Sequence, residues 1–286
     1  MDNNIFDLFS QKAERYDLVT GAHYYGLLDQ IFEKIKLRPA EKILDLGSGT
    51  GEILLKIARK YKDLTLQLTG VDFSPAMISV ANKKTLANEN SFISRPSFFC
   101  QDLIDYLSNC RENSYDLVLT SFMLAYVKYS ELFKLANKVL NKGGKLIILT
   151  TPKGFFKKIE NIFFNFILFH PFYINWWALL TKKFSLTPSV DEIIQLLSKY
   201  NFSKIEINKF TVKVPFADPL TCLKWLDECG IASLYLSLIK KSKKDAAMPA
   251  MIDYLEKKSI RFEGQPIKRG EPLRFDWEIY SIIAEK

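Results

Sequence analysis

The segment ILDLGSGTGEI (43–53) constrains this chain more than any other stretch. It begins as a short apolar strand, continues as a glycine-rich turn and ends as the start of a helix. Glycine lets the backbone take positive φ and approach a ligand closely, and the helix that follows offers free N–H groups. Asp72 lies about 20 residues beyond the glycines and follows a second apolar run, where a carboxylate can hold ribose hydroxyls. The pattern predicts a site for an adenosine-containing ligand.

The spacing of the glycines narrows the choice of ligand. Dinucleotide sites use G-x-G-x-x-G, whereas Gly47, Gly49 and Gly51 form G-x-G-x-G, and Asp45 lies two residues before the first glycine. A carboxylate at that position would repel a pyrophosphate and suits a ligand with an ammonium group. S-adenosylmethionine (SAM) carries an ammonium group, a carboxylate and a sulfonium, and it has no phosphate.

These residues resemble the class I SAM-dependent methyltransferases. The stretch 43–58 is similar to their first motif, GVDFSPAMISVA (70–81) to their second, and 121–149 to their later motifs. The resemblance implies SAM as cofactor and S-adenosylhomocysteine as product, and we expect no metal. It assigns the following residues to the cofactor: Asp45, Gly47, Gly49, Gly51, Asp72, Phe73, Met77, Gln101, Asp102, Leu103 and Thr120. In the resembled family Met77 lies against the adenine, Asp102 lies near its amine, and Leu103 covers the ring.

Apolar runs alternate with helical segments through the first half of the chain. Ser74-Pro75 predicts an N-cap followed by the first residue of a helix. Ser130 is predicted to cap the helix that runs through Leu140, and Gly143-Gly144 to end it. The pattern and the resemblance together predict an α/β fold with a doubly wound, mostly parallel, seven-stranded, Rossmann-like sheet and helical cap insertions. The ligand is expected at the carboxyl ends of the strands.

The second half is less regular. The stretch from Ser189 to Glu192 predicts a capping box at the start of a helix. Apolar residues alternate with others from Ile205 to Val214, which predicts one bent strand or a strand pair, and 277–284 is predicted as the last strand. By resemblance, the final two strands are antiparallel neighbours. We expect a single methyltransferase domain over 1–286, with cap elements at 1–36, 154–185 and 218–271 on the substrate side.

Composition and charge narrow the substrate class. The chain has 48% hydrophobic residues, a net charge of +8 and four cysteines without metal or disulfide spacing. With no signal sequence at the polar N-terminus, these features predict a reduced, cytoplasmic protein. The exit of the fourth strand, from Thr120 to Met123, lacks the acid or amide and two prolines of nucleic-acid amine methyltransferases. We therefore expect a small-molecule substrate and no nucleic acid, and interpret the basic cluster 240–244 as a solvated loop.

The stretch 154–183 is rich in aromatic residues and flanked by lysines. Asn165, His170 and Asn175 interrupt it, which argues against a membrane span. Three interpretations remain: a lid lining an apolar substrate pocket, which we favour, an interfacial segment that meets anionic headgroups, and an element packed only against the core.

Methyl transfer from SAM depends mainly on alignment, and a carbon or alcohol nucleophile also needs a base. His23 is a candidate base. FSQKAERYD (9–17) resembles the start of quinone-biosynthesis C-methyltransferases and of the biotin-synthesis carboxyl methyltransferase, in which the tyrosine equivalent to Tyr16 closes over SAM. The second insertion resembles the cap of trans-aconitate-type and juvenile-hormone-acid-type carboxyl methyltransferases, with Arg269 or Arg274 as a fork for the substrate carboxylate.

We expect a methyltransferase that acts on a small, largely apolar molecule by O-methylation of a carboxylate or phenol. One alternative is C-methylation of a lipidic quinone or polyketide ring. Another is a SAM-binding pericyclase or regulatory protein without methyl transfer. The sequence leaves the oligomeric state and membrane contact through 154–183 open.

Overall fold

The computed structural model describes residues 9–88, 90–153, 155, 157–176, 187–230, 238–262 and 264–286, without the side chains of 157–160 and 244. Parts of the predicted cap elements, namely 1–8, 154, 156, 177–185, 231–237 and 263, lie outside these residues. Within the described ranges, no helix is long and apolar enough to cross a membrane.

Seven strands form one sheet in the order β3-β2-β1-β4-β5-β9-β6. Their bounds are β1 Lys42–Leu46, β2 Gln67–Asp72, β3 Ser97–Cys100, β4 Tyr115–Ser121, β5 Leu140–Thr150, β6 Ser203–Phe216 and β9 Leu273–Glu285. The first five are parallel, and β9 is antiparallel to β5. The predicted mostly parallel, seven-stranded α/β sheet is confirmed.

Helices alternate with the strands. Their bounds are α1 Ala22–Glu33, α2 Glu52–Lys60, α3 Pro75–Ala87, α4 Leu103–Asn109, α5 Tyr129–Val139, α6 Lys157–Phe169, α7 Val190–Lys199, α8 Pro219–Glu228 and α9 Lys244–Lys257. The predicted caps of α3 and α7 are confirmed: Ser74 accepts the Met77 N–H, and Ser189 and Glu192 form a capping box.

The register of β1 sets where the site can form. Leu46 pairs with Val71 of β2 and with Thr120 of β4, so the three parallel strands end at nearly the same level. Successive side chains of a strand point to opposite faces. Leu44 and Leu46 join an apolar cluster with α4, α5 and α7, and Asp45 therefore points to the opposite face of the sheet.

Two predictions for the end of the first half are wrong. Helix α5 begins after Lys128 without a side-chain cap, and the Ser130 hydroxyl is hydrogen-bonded to that of Tyr200 instead. The helix ends at Val139, before the two glycines. Gly143 (φ +77°) and Gly144 instead exchange backbone hydrogen bonds with Lys286 at the start of β5. A Cβ on Gly144 would lie 2.9 Å from the Asn141 carbonyl oxygen, so the packing there favours glycine.

The chain divides into two compact units. The first comprises Met1–Pro152, Thr187–Phe210 and Ile279–Lys286; the second comprises Lys153–Leu186 and Thr211–Glu278. The second therefore takes in both segments predicted as insertions, and it includes a short hairpin of β7 Arg261–Phe262 and β8 Gln265–Pro266. The prediction that these segments cap the substrate side stays a prediction.

Candidate active site

The glycine-rich turn follows β1 directly. The Gly47 and Ser48 N–H groups both donate to the Val71 carbonyl, at 2.8 and 3.0 Å, and this fixes the turn beside the end of β2. All three glycines have positive φ. A Cβ on Gly47 would collide with Met123 and one on Gly51 with Phe98, whereas one on Gly49 would meet no described atom within 4 Å. Packing thus requires the outer glycines, and the middle one leaves open space for a ligand.

Asp72 joins this turn to the next one. One carboxylate oxygen accepts the Gly49 N–H at 2.9 Å, and the other accepts the Ser74 N–H at 2.9 Å. Burial raises the pKa of Asp72, and backbone hydrogen bonds from Ser74, Gly49 and Phe73 oppose that rise. A carboxylate has about four lone-pair sites, so the group keeps the capacity to accept a hydrogen bond from a ribose hydroxyl.

Asp45 is the most unusual group in this unit. Its side chain is fully buried, and neither carboxylate oxygen has a hydrogen-bond partner among the described residues. Burial, followed by the charge of Asp72, raises the pKa of Asp45 to about 8. A buried charge without a partner is costly, and the ammonium group of SAM would supply that partner. A buried carboxylate without a partner at this position, within the described ranges, therefore fits the ammonium group of SAM.

The residues assigned to the adenine lie around the exits of β2 and β3. Met77 is buried at the start of α3, and Phe73 is half-buried. Asp102 is exposed, and one of its oxygens accepts the Ile104 and Asp105 N–H groups, which makes it the N-cap of α4. Gln101 is exposed, and Leu103 belongs to the apolar cluster beneath the sheet. The structure brings these residues to one edge, and their roles stay predictions.

The exit of β4 combines an unpartnered hydroxyl with a strained residue. The Thr120 hydroxyl oxygen is buried and has no partner within the described residues. Two residues later Phe122 has φ +57°, a conformation that costs a non-glycine residue about 1–3 kcal/mol and often marks a functional site.

The N-terminal segment 9–33 contacts several of these strand exits. Phe9 packs edge-to-face on Tyr126 after β4, with ring centroids 5.5 Å apart, and the Ser10 hydroxyl lies 3.0 Å from that of Ser74. Tyr16 packs against the cluster that contains Met77. Tyr16 is thus near the predicted adenine side, as a residue that closes over SAM would be.

Asp17 ties this segment to the glycine-rich turn. One carboxylate oxygen accepts hydrogen bonds from Tyr25, at 2.6 Å, and Thr50, at 2.5 Å. The other pairs with Lys84 of α3 at 2.7 Å, and Lys84 also pairs with Glu52 of α2 at 2.5 Å. Asp17 therefore links the N-terminal segment directly to the glycine-rich turn and to α3, and through Lys84 to α2.

Sequence reasoning missed Tyr24, which is buried on α1 beside Phe122, with ring centroids 5.1 Å apart. Burial and the charges of Asp45 and Asp17 raise the pKa of Tyr24, so its phenol stays protonated at neutral pH. The signal was present, because the buried residues of α1 follow helical spacing: Tyr24, Leu27, Leu28, Ile31 and Phe32. His23 lies one position off this face and is half-buried.

The two arginines predicted to hold a substrate carboxylate are engaged within the second unit. Arg269 pairs with Asp253 at 2.7 Å, and Arg274 binds both oxygens of Asp276, at 2.7 and 3.2 Å. Neighbouring carboxylates therefore pair with both guanidinium groups in this structure, and the assignment of either arginine to a substrate carboxylate stays a prediction.

Residues 43–144 match the family described as methyltransferase domain. The ubiquinone/menaquinone biosynthesis C-methyltransferase of Geotalea daltonii is 29% identical over 57% of this chain and 71% of its own length. The demethylmenaquinone methyltransferase of Staphylococcus aureus is 23% identical over 73% of this chain and 88% of its own. The YcgJ protein of Bacillus subtilis has the same fold, with a TM-score of 0.59, 14% identity, and 92% and 98% of the two chains covered.

Asp45→Asn should change the pH dependence of stability. An aspartate in the unfolded chain titrates near pH 4, and native Asp45 titrates at about 8. Because the native state holds this proton more tightly, the free energy of unfolding falls as pH rises between those values. In thermal scans without SAM from pH 5 to 8.5, the Tm of the variant should fall less than that of the wild type, by at least about 2–4 °C. If Tm changed with pH in the same way in both proteins, the raised pKa of Asp45 would be contradicted.

Asp72→Asn should weaken SAM binding roughly tenfold to a hundredfold, because hydrogen bonds to a charged group contribute about 1.5–3 kcal/mol each. The amide keeps one acceptor oxygen for the backbone, which alanine would not. Calorimetric titration with SAM measures the effect, and Asp105→Asn, on the exposed face of α4, is the matched control. If the two variants bound SAM with equal affinity, the assignment of Asp72 to the ribose would be wrong.

Asp17→Asn should loosen the N-terminal segment. The change removes the charge shared by Tyr25, Thr50 and Lys84, worth about 1.5–3 kcal/mol per hydrogen bond, so the local opening equilibrium should rise at least about tenfold. Tryptic cleavage after Lys12 and Arg15 reports that opening. Glu14→Gln is the control, because its exposed pair with Lys83 contributes only about 0–1 kcal/mol. Equal cleavage rates for both variants would disprove the tether.

Proposed function

The protein is a SAM-dependent methyltransferase with a class I, Rossmann-like fold, and on that premise we propose that it methylates a ring carbon of a lipid-soluble quinol. The observation that carries the proposal is the alignment with a demethylmenaquinone methyltransferase over 73% of this chain and 88% of the relative. That alignment runs well beyond residues 43–144, the part that matches the methyltransferase domain.

Two observations support ring-carbon methylation over the carboxylate O-methylation that the sequence favoured. The carboxylate hypothesis needs a cationic anchor, and its candidates Arg269 and Arg274 are both paired with aspartates. The named relatives in these alignments are C-methyltransferases or quinone methyltransferases. Methylation of a phenol oxygen would use the same class of substrate and is separated from ring methylation by the position of the new methyl group.

Bound SAM supplies an electrophilic methyl group on a sulfonium leaving group. The chain's own residues then have to bind SAM and the acceptor, orient them, and accept one proton. In our proposal Asp45 holds the ammonium group, Asp72 holds the ribose, and Thr120 offers its buried hydroxyl at the exit of β4. Tyr24, kept protonated by its surroundings, acts as a hydrogen-bond donor and as a wall beside Phe122, not as a base.

A quinol carbon becomes nucleophilic when a ring hydroxyl ionises, and the ring then loses the proton from the methylated carbon. His23 remains the candidate base. Burial lowers the pKa of His23 from 6.5, so the imidazole is neutral at pH 7 and able to accept a proton. Tyr16, near Met77, remains the candidate for closure over the cofactor.

The test is an assay of the purified chain with SAM and a short-chain demethylmenaquinol kept reduced by dithionite. We expect S-adenosylhomocysteine and a product with a new ring methyl group, identified by mass spectrometry and NMR. A phenol and a carboxylic acid of similar size should react at least about a hundredfold more slowly. A methoxy product would replace ring methylation by O-methylation, and turnover of the carboxylic acid alone would overturn the proposal.

The same assay tests His23. If His23 is the base, His23→Gln should lower kcat about a hundredfold or more, leave SAM affinity unchanged, and abolish an acid limb that lies below pH 6.5. Gln cannot accept the proton at any pH. An unchanged kcat would make His23 a structural residue of α1.

A further inference from the structure

The segment 163–176 in the second unit has two sides. Phe163, Phe166, Ile167 and Ile174 are buried, and Phe166 stacks on His170 with ring centroids 4.5 Å apart. The opposite side exposes large apolar side chains at 41–74% of their area: Phe164, Leu168, Phe169, Phe172 and Trp176. Such a concentration on about a dozen residues marks an interaction surface.

Backbone hydrogen bonds join this segment to the basic cluster 240–244, which is therefore not an isolated solvated loop. The Asn175 N–H donates to the Leu238 carbonyl and the Lys240 N–H to the Tyr173 carbonyl, both at 2.8 Å, and Ile174 forms an antiparallel bridge with Ile239. This pairing places 240–243 beside the exposed rings.

Two lysines lie directly over those rings. The Lys243 Nζ is 4.9 Å from the ring centroid of Phe172, and the Lys258 Nζ is 5.3 Å from that of Phe169. Residues 238–262 contain seven Lys and Arg against three Asp and Glu, and Asp253 is already paired with Arg269. The surroundings of the exposed rings are therefore cationic.

We propose that Leu168, Phe169, Phe172, Trp176, Lys243 and Lys258, the aromatic–lysine surface, bind the surface of an anionic membrane. Exposed rings and a leucine enter the boundary between headgroups and acyl chains, and ammonium groups on the same surface meet lipid phosphates. The combination favours lipid over a second copy of the chain, because a symmetric contact would bring the same lysines together. It favours lipid over nucleic acid, because Leu168, the most exposed of the set, offers neither a stacking plane nor a hydrogen bond.

The experiment is co-sedimentation of the full chain with vesicles of phosphatidylcholine containing 30% phosphatidylglycerol, with pure phosphatidylcholine vesicles as reference. We expect binding to the anionic vesicles that is at least about tenfold stronger and that weakens in high salt. Lys243→Gln with Lys258→Gln should weaken it about 20- to 30-fold, since each lysine near the surface contributes about a factor of five. Phe169→Ser with Phe172→Ser should weaken it at least about tenfold.

Matched controls separate the surface from general effects of charge and polarity. Lys62→Gln with Lys142→Gln removes two exposed lysines of the first unit, and Leu86→Ser removes an exposed leucine there; these variants should bind vesicles like the wild type. All variants should keep SAM affinity and Tm. Phe166→Ala, by contrast, should lower Tm, because Phe166 is fully buried.

Several results would overturn the proposal. One is equal binding to both kinds of vesicle, and another is anionic binding that the control variants weaken as much as the surface variants do. A concentration-dependent dimer lost in Phe169→Ser with Phe172→Ser, without vesicle binding, would assign the surface to a second copy. Binding of single-stranded RNA that depends on the two lysines, again without vesicle binding, would assign it to nucleic acid. None of these outcomes bears on the identity of the methyl acceptor.

Discussion

The carboxylate of Asp72 is the interaction on which the candidate site depends. It accepts one N–H group from the turn after β1 and one from the N-cap of α3, so it fixes the spacing of two loops that belong to different strand–helix units. Charge-assisted hydrogen bonds of this kind are short and strong, and they offset part of the cost of burying the charge. The carboxylate also keeps the capacity to accept a further hydrogen bond.

Asp45 illustrates how a binding site departs from what stability alone would select. A fully buried carboxyl without a partner among the described residues raises the free energy of the ligand-free protein, and an apolar residue at the end of β1 would avoid that cost. If a cation binds beside the ionised carboxylate, the same burial strengthens the attraction between the two charges. Tyr24, Asp17 and Lys84 surround the turn with further polar groups, so the first unit concentrates its buried electrostatics at one edge of the sheet.

The second unit is held together mainly by aromatic packing. Its interior is a network of aromatic rings: Trp225 packs against Phe216, Phe275 and Trp277, and Phe275 stacks on Phe262. Elsewhere in the unit, Phe169 and Phe172 are largely exposed, and a lysine ammonium group lies over each of them. A membrane-binding surface on this unit and a lipid-soluble acceptor for the first are separate proposals. They are compatible, because a protein bound to the bilayer has access to a substrate dissolved in it.

Elements whose signals are local could be predicted from the amino-acid sequence. The glycine-rich turn, the Ser74-Pro75 start of α3 and the capping box at Ser189 depend on interactions within a few residues, and all three have the predicted form. The parallel order of the core strands follows from the alternation of strands and helices. Packing decided the rest. Gly143 and Gly144 serve the start of β5 and not the end of α5, and Tyr24 rather than His23 lies on the buried face of α1. Arg269 and Arg274 lie beside aspartates, and 240–243 lies beside the aromatic segment. These are contacts between residues far apart in the chain or on one face of an element, and pairing of that kind exists only once the chain has folded.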